Sequence, residues 1–177
     1  QLEYHLPNNL NISVDREYEK FISKLTNRFP HEEEGIKKFY ETCKKVFNCL
    51  DSMPLLSIED PSYLFKVFFK APISCLGLAR WLPINAGDVA RKFIKDTELL
   101  KFIDIECFCW SVMPALKTPM INAGMVFTDR HAGGINYPKG GVGMIAERLV
   151  AGIEKFGGKV RYKANVNEIL LENGNAI

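Results

Sequence analysis

Proline sets the pattern of this chain. Pro30, Pro61, Pro72 and Pro119 stand where helices would begin, and the stretches between them carry apolar residues three and four apart. Proline suits a first helical turn because its missing N–H has no partner there, and it cannot continue a helix already running. The pattern predicts a helical region in short lengths. Residues 15–29 put Tyr18, Phe21, Ile22, Leu25 and Phe29 on one face, and residues 30–50 do so with Ile36, Phe39, Tyr40, Cys43, Phe47 and Leu50. Further helices are expected over 62–70, 73–82, 86–94, from an Asp96 cap to Met113, and 118–127. The helix after Asp96 is apolar nearly all round, through Leu99, Phe102, Ile103, Cys107, Phe108 and Trp110, and should be central. Glu32, Glu33 and Glu34 suit the positive end of a helix and read as a solvated first turn.

Strands are expected at the two ends. Leu2, Tyr4 and Leu6 alternate, as do Leu10, Ile12 and Val14, around Pro7-Asn8-Asn9; this is a β-hairpin with one buried face. After Phe127 come a loop with Asp129, Arg130 and His131, a short strand 135–137, a glycine turn, a helix 142–156, and strands 159–163 and 166–171. The strand 135–137 is expected to join the antiparallel sheet of the leading hairpin. Asn173-Gly174 is a hairpin signal with almost nothing after it, so the return strand is expected to be missing and the chain to be an internal piece of a larger protein. The fold class is therefore α+β. A mostly helical domain over 1–138 is followed by a strand–glycine turn–helix–strand unit over 139–177.

Composition narrows the function. With 177 residues, 47% hydrophobic and 25% charged, the chain can bury a core and is not disordered. Its net charge is +2 and acids alternate with bases, which gives no support to nucleic acid as a partner. No charge-free stretch approaches the ~20 residues of a membrane-spanning helix. The five cysteines are odd in number, and Cys107-Phe108-Cys109 lacks zinc spacing; they read as free thiols in a reducing compartment, and no metal site is expected.

Few residues carry a chemical signature. Gly141-Val142-Gly143-Met144-Ile145-Ala146 matches G-x-G-x-x-A between a strand and a helix, as a dinucleotide-binding turn does. The strand before it is short, polar at Asn136 and ended by Pro138, so a tight turn that lets backbone segments approach closely is the favoured reading. Around Asp129-Arg130-His131 no serine or cysteine is paired with the histidine. Arg130 is expected to hold a nearby carboxylate and His131 to bond backbone. Phe65-Lys66-Val67-Phe68-Phe69-Lys70 reads first as a core helix with two solvated lysines, and second as an interfacial helix.

The segment from Asp129 to Gly143, with its Ile135-Asn136-Tyr137-Pro138-Lys139-Gly140-Gly141 centre, resembles the carotenoid isomerase (prolycopene isomerase) family, related to bacterial-type phytoene desaturases and flavin amine oxidases. Phe29-Pro30-His31-Glu32-Glu33-Glu34-Gly35, Leu82-Pro83-Ile84-Asn85-Ala86-Gly87 and Thr118-Pro119-Met120-Ile121-Asn122-Ala123-Gly124-Met125 agree with it. The resemblance implies a two-domain enzyme that uses reduced FAD, without net redox change, to convert poly-cis lycopene to the all-trans form. It implies work at a plastid membrane surface, or at a cyanobacterial membrane in a prokaryote. Substrate contact falls on Gly133, Gly134, Ile135 and Tyr137. Cofactor contact falls on Val166, with Gly140, Gly141 and Gly143 beside it, and most of the FAD is held by segments outside this chain. A hydrocarbon polyene offers no polar handle, so an apolar cavity should hold it while the flavin carries the chemistry. No catalytic residue is assigned. A desaturase or saturase of the same architecture, and a non-catalytic module for an apolar ligand or a membrane, are the competing readings.

Overall fold

The computed structural model describes residues 2–7, 9–53 and 61–176. It is mostly helical with two small antiparallel sheets, an α+β arrangement. The chain divides into two compact units, Gln1–Ile135 and Asn136–Ile177.

The first unit opens with strands β1 (Leu2–Leu6) and β2 (Leu10–Val14), paired from Leu2↔Val14 to Leu6↔Leu10. Tyr4, Leu10, Ile12 and Val14 turn inward, as the alternation requires. Helices α1 (Tyr18–Arg28) and α2 (Glu33–Asp51) follow, separated by a short 3-10 turn, Pro30–Glu32. Then come α3 (Pro61–Lys70), α4 (Pro72–Ala79), α5 (Ala86–Phe93), α6 (Thr97–Ser111) and α7 (Met120–Ala132). Phe21, Phe39, Tyr40, Phe102 and Phe127 are almost wholly buried, each stabilising the unit by about 1.5–3 kcal/mol relative to exposure. Phe21–Tyr40, Phe39–Tyr40 and Tyr4–Phe102 meet edge to face with ring centroids 5.2–5.4 Å apart. Gly124 lets α7 lie directly on α2: a Cβ there would sit 2.6 Å from Val46 Cβ.

Three segments that carried the family resemblance act as latches between elements. The Ala86 N–H donates to Thr118 O and the Met120 N–H to Ile84 O, both at 2.8 Å, around a single antiparallel bridge, Asn85↔Pro119. Two motifs far apart in sequence thus form one clamp that sets where α5 and α7 begin. The third motif closes a different gap. Buried Glu32 accepts the backbone N–H groups of Lys95 and Asp96 at 2.6 and 2.5 Å, and His31 Nε2 lies 2.8 Å from Asp96 Oδ2. Asp96 in turn caps α6 by accepting from Glu98 and Leu99.

The second unit holds α8 (Gly143–Lys155) and a hairpin of β3 (Leu171–Glu172) with β4 (Asn175–Ala176). No residue of α8 is buried within the described structure.

Several expectations are corrected. Residues 135–137 form no strand and do not join the leading hairpin. Gly134, at φ 80°, carries the chain out of α7, and Pro138, which has no backbone N–H to donate, ends the extended stretch without a paired neighbour. Residues 159–163 and 166–170 are likewise unpaired, because the second unit offers no neighbouring strand beyond the hairpin. The return strand after Asn173-Gly174 is present for two residues, over a turn with both central residues at positive φ. Asp129, Arg130 and His131 lie on the last turn of α7 and not in a loop. Glu32 is buried rather than solvated. Phe108 and Trp110 of α6 are exposed, so that helix is central on one side only.

Candidate functional site

The last turn of α7 joins the core to the Gly133–Gly134–Ile135 stretch. On α6, Leu99, Phe102, Ile103 and Glu106 share one core-facing stripe, so a carboxylate is carried into the apolar interior. Arg130 meets it from α7: its Nη1 donates to Glu106 Oε1, and the Tyr40 hydroxyl donates to Glu106 Oε2 at 3.2 Å. The guanidinium lies over the rings of Phe21 and Phe127, at 4.8 and 5.3 Å from their centroids. Burial pushes the Glu106 carboxyl above the usual range, against the opposing pull of Arg130 and Tyr40. The expected carboxylate partner of Arg130 is therefore Glu106. Nothing but its place on the apolar stripe marked that residue in the sequence.

His131 continues the chain of contacts. Arg130 Nε donates to its Nε2 at 3.2 Å, which leaves Nδ1 as the proton-bearing nitrogen, 3.2 Å from Arg16 O. This backbone bond is the one expected from sequence. Gly134 closes over Arg16, where a Cβ would lie 3.2 Å from Nε. Burial, then the charge of Arg130, holds the His131 ring below its ordinary value. The unfolded chain takes up a proton near pH 6.5 while the folded ring resists it, so stability should fall as pH drops through about 6.5 and level off below the folded value. Urea midpoints measured on either side of that pH should show a shallower acid slope for His131→Gln than for the native chain.

The remaining sequence candidates are spread out. Ile135 is half exposed at the end of the first unit. An apolar cavity of about 240 Å³ lies between α6 and α7, walled by Trp110, Met113, Thr118, Met125, Val126 and Phe127; Ile135 is not among its walls. In the second unit, Tyr137 and Val166 are exposed. Gly140 and Gly141 take φ of 92° and 96°, and a Cβ on Gly140 would lie 2.9 Å from Met144 Cγ. Three N–H groups of the turn bond within it: Gly141 N–H to Pro138 O, Met144 N–H to Gly141 O and Ile145 N–H to Val142 O. A pyrophosphate needs such groups aimed outward. The positive φ of Gly140 and Gly141 is what this turn requires. The Cys43 thiol is pushed well up by burial, and Cys107 to about 12, so neither is a ready nucleophile. Among the described residues no group of acids, histidines and cysteines is placed to hold a metal ion.

The chain is 60% identical over 176 residues, 99% of its length, to the chloroplastic prolycopene isomerase of Daucus carota. Along nearly its whole length the chain is similar to the prolycopene isomerases. The chloroplastic prolycopene isomerase of Arabidopsis thaliana is 56% identical over the same share of the chain. The chain spans 29–30% of the length of these prolycopene isomerases. A more distant relative is the all-trans-retinol 13,14-reductase of Danio rerio, 26% identical over 155 residues, 87% of the chain and 25% of that protein. No protein-family model and no solved structure matches the chain.

Proposed function

We propose that this chain is the helical substrate-binding part, 1–138, and the beginning of the FAD-domain return, 139–177, of an FAD-dependent carotenoid cis–trans isomerase acting on poly-cis lycopene in a plastid. The observation that carries the reading is the 60% identity, along 99% of the chain, to a protein named prolycopene isomerase. The geometry is compatible with it. Turning a cis carbon–carbon double bond of a hydrocarbon needs an apolar site and no protein nucleophile, and His131 is committed to Arg130 and to backbone. In this reading Gly133, Gly134, Ile135 and Tyr137 border the polyene, and the latches of the first unit set where α7, the helix that leads into Gly133, begins. The FAD is held mainly by segments beyond these residues, Val166 offering backbone to the adenine while Gly140, Gly141 and Gly143 shape the turn. The enzyme works peripherally at the membrane where its substrate dissolves.

The test is anaerobic turnover by the full-length protein with reduced FAD and poly-cis lycopene, resolved by chromatography. All-trans lycopene should accumulate without stoichiometric flavin oxidation. Product formed one-for-one with oxidised flavin would instead favour the saturase reading, which the 26% identity to a retinol reductase keeps open. Replacing Ile135 with aspartate should lower turnover about tenfold or more, by placing a charge against hydrocarbon, with flavin content unchanged. Undiminished turnover in that variant would remove this stretch from the substrate site.

A further inference from the structure

Helix α3 does not behave as the expected core helix. Val67 is buried, whereas Leu64, Phe65, Phe68 and Phe69 are exposed, Phe65 at 69% and Phe69 at 78%. These four residues succeed one another around one side of the helix, over an arc of about 140°. Both lysines are exposed: Lys66 borders that arc about 60° beyond Phe69, and Lys70 stands about 40° further round, towards the far side of the helix. The pattern continues into α4, where Ile73 is 86% exposed and Leu76 is also outside, and into the following turn with Leu82. On its other side α4 is tied to the end of α2 by Ser74 against Ser52 at 2.7 Å and Cys75 against Met53. The two helices together are apolar enough over the length of a membrane span, but the chain bends by 109° between them; among the described residues no single helix is long and apolar enough to cross a membrane.

We propose that the outward faces of α3 and α4 form a docking surface for an anionic lipid bilayer, with the aromatic and aliphatic side chains entering the headgroup–acyl boundary. Charge selects this occupant. Residues 62–82 contain Lys66, Lys70 and Arg80 and no acid, in a chain of net charge +2 whose acids and bases elsewhere alternate. A protein cover would have to supply carboxylates for three cations while also burying Phe69 and Ile73. A bilayer surface satisfies both at once: lysine and arginine stems lie along the apolar boundary with their charges among anionic headgroups. Arg80 over the Trp81 ring, at 4.7 Å, puts an aromatic and a cation together at the same edge. The sharp bend suits two short helices lying in the plane of the interface rather than crossing it.

The inference rests on the isomerase reading only for the membrane as the place where substrate dissolves. Vesicle binding is measured without carotenoid, so the two can fail separately. The full-length protein is sedimented with phosphatidylcholine vesicles, with and without phosphatidylglycerol. Native protein should pellet with the phosphatidylglycerol vesicles. Phe65→Ser/Phe69→Ser should weaken that binding about tenfold or more, and Lys66→Glu/Lys70→Glu should abolish the preference for the anionic lipid. Native protein left in the supernatant with both lipids overturns the proposal, as does binding unchanged in both variants. A soluble dimer that the serine variant converts to monomer, with vesicle binding unaltered, also overturns it and assigns the face to a second copy. Should the serine variant fail to fold, the charge-reversed variant, altered only at exposed lysines, decides.

Discussion

Replacing Arg130 with methionine is expected to destabilise the Gln1–Ile135 unit by about 3–5 kcal/mol, because it strands the Glu106 carboxylate in the apolar interior. The stranded acid has one escape, which is to take up a proton. With Arg130 gone, only the Tyr40 hydroxyl opposes burial at Glu106, and its folded pKa stands above the ordinary 4.5. A group whose pKa is raised by folding stabilises the fold below its unfolded value and loses that contribution as pH rises. The variant should therefore recover stability on acidification from neutral pH, in contrast to the acid loss expected from His131. Removing the whole polar cluster, with Arg130→Met, Glu106→Leu and Tyr40→Phe together, should restore most of the loss, since a well-packed apolar replacement of a buried pair is often neutral or better. Urea unfolding at two pH values separates these outcomes. A triple variant as unstable as Arg130→Met would show that the cost lay in packing and not in the unpaired charge.

The leading hairpin and the helix sequence were legible because each rests on a period: alternation for Leu10, Ile12 and Val14, and three-four spacing for Phe21, Ile22 and Leu25. Period says which residues share a face. It does not say what covers that face. Phe65, Phe68 and Phe69 of α3 have the same spacing as a core stripe yet stand outside, while Val67 alone goes in. The converse error concerns charge. In the sequence Glu32 reads as solvated and Glu106 is not singled out, but each goes inside because backbone N–H groups or an arginine from a distant part of the chain wait for it. Such partners are 24 and 63 residues away and leave no local mark. The stretch 135–137 was misread for the opposite reason: its composition suits a strand, but a strand exists only with a neighbour. The candidate site shared this limit. From the sequence Arg130 is expected to hold a carboxylate and His131 to bond backbone, whereas the partners themselves, Glu106 and Arg16, become visible only with the fold.

The same logic makes Glu32 the most sensitive of the latch residues. Its Oε1 receives two backbone N–H groups, from Lys95 at 2.6 Å and Asp96 at 2.5 Å, at the corner where α5 ends and α6 starts. Hydrogen bonds to a charged acceptor contribute about 1.5–3 kcal/mol each, and an unsatisfied partly buried donor costs a comparable amount. Glu32→Ala should therefore lower stability by about 3 kcal/mol. Glu32→Gln keeps an acceptor oxygen of the same reach and should cost no more than about half of that. Hydrogen exchange localises the effect: the Lys95 and Asp96 amides should lose protection in the alanine variant and keep most of it with glutamine. Asp96 gives a second readout, since it caps α6 through Glu98 and Leu99 and also meets His31. Burial pushes its carboxyl up, but those N–H groups and the His31 ring outweigh burial and hold it below the ordinary 3.8. Its contribution is present above that value and lost as pH falls further, so it cannot mask the loss of Glu32 at neutral pH. If the alanine and glutamine variants unfold at the same urea concentration, the two short contacts contribute nothing beyond side-chain bulk.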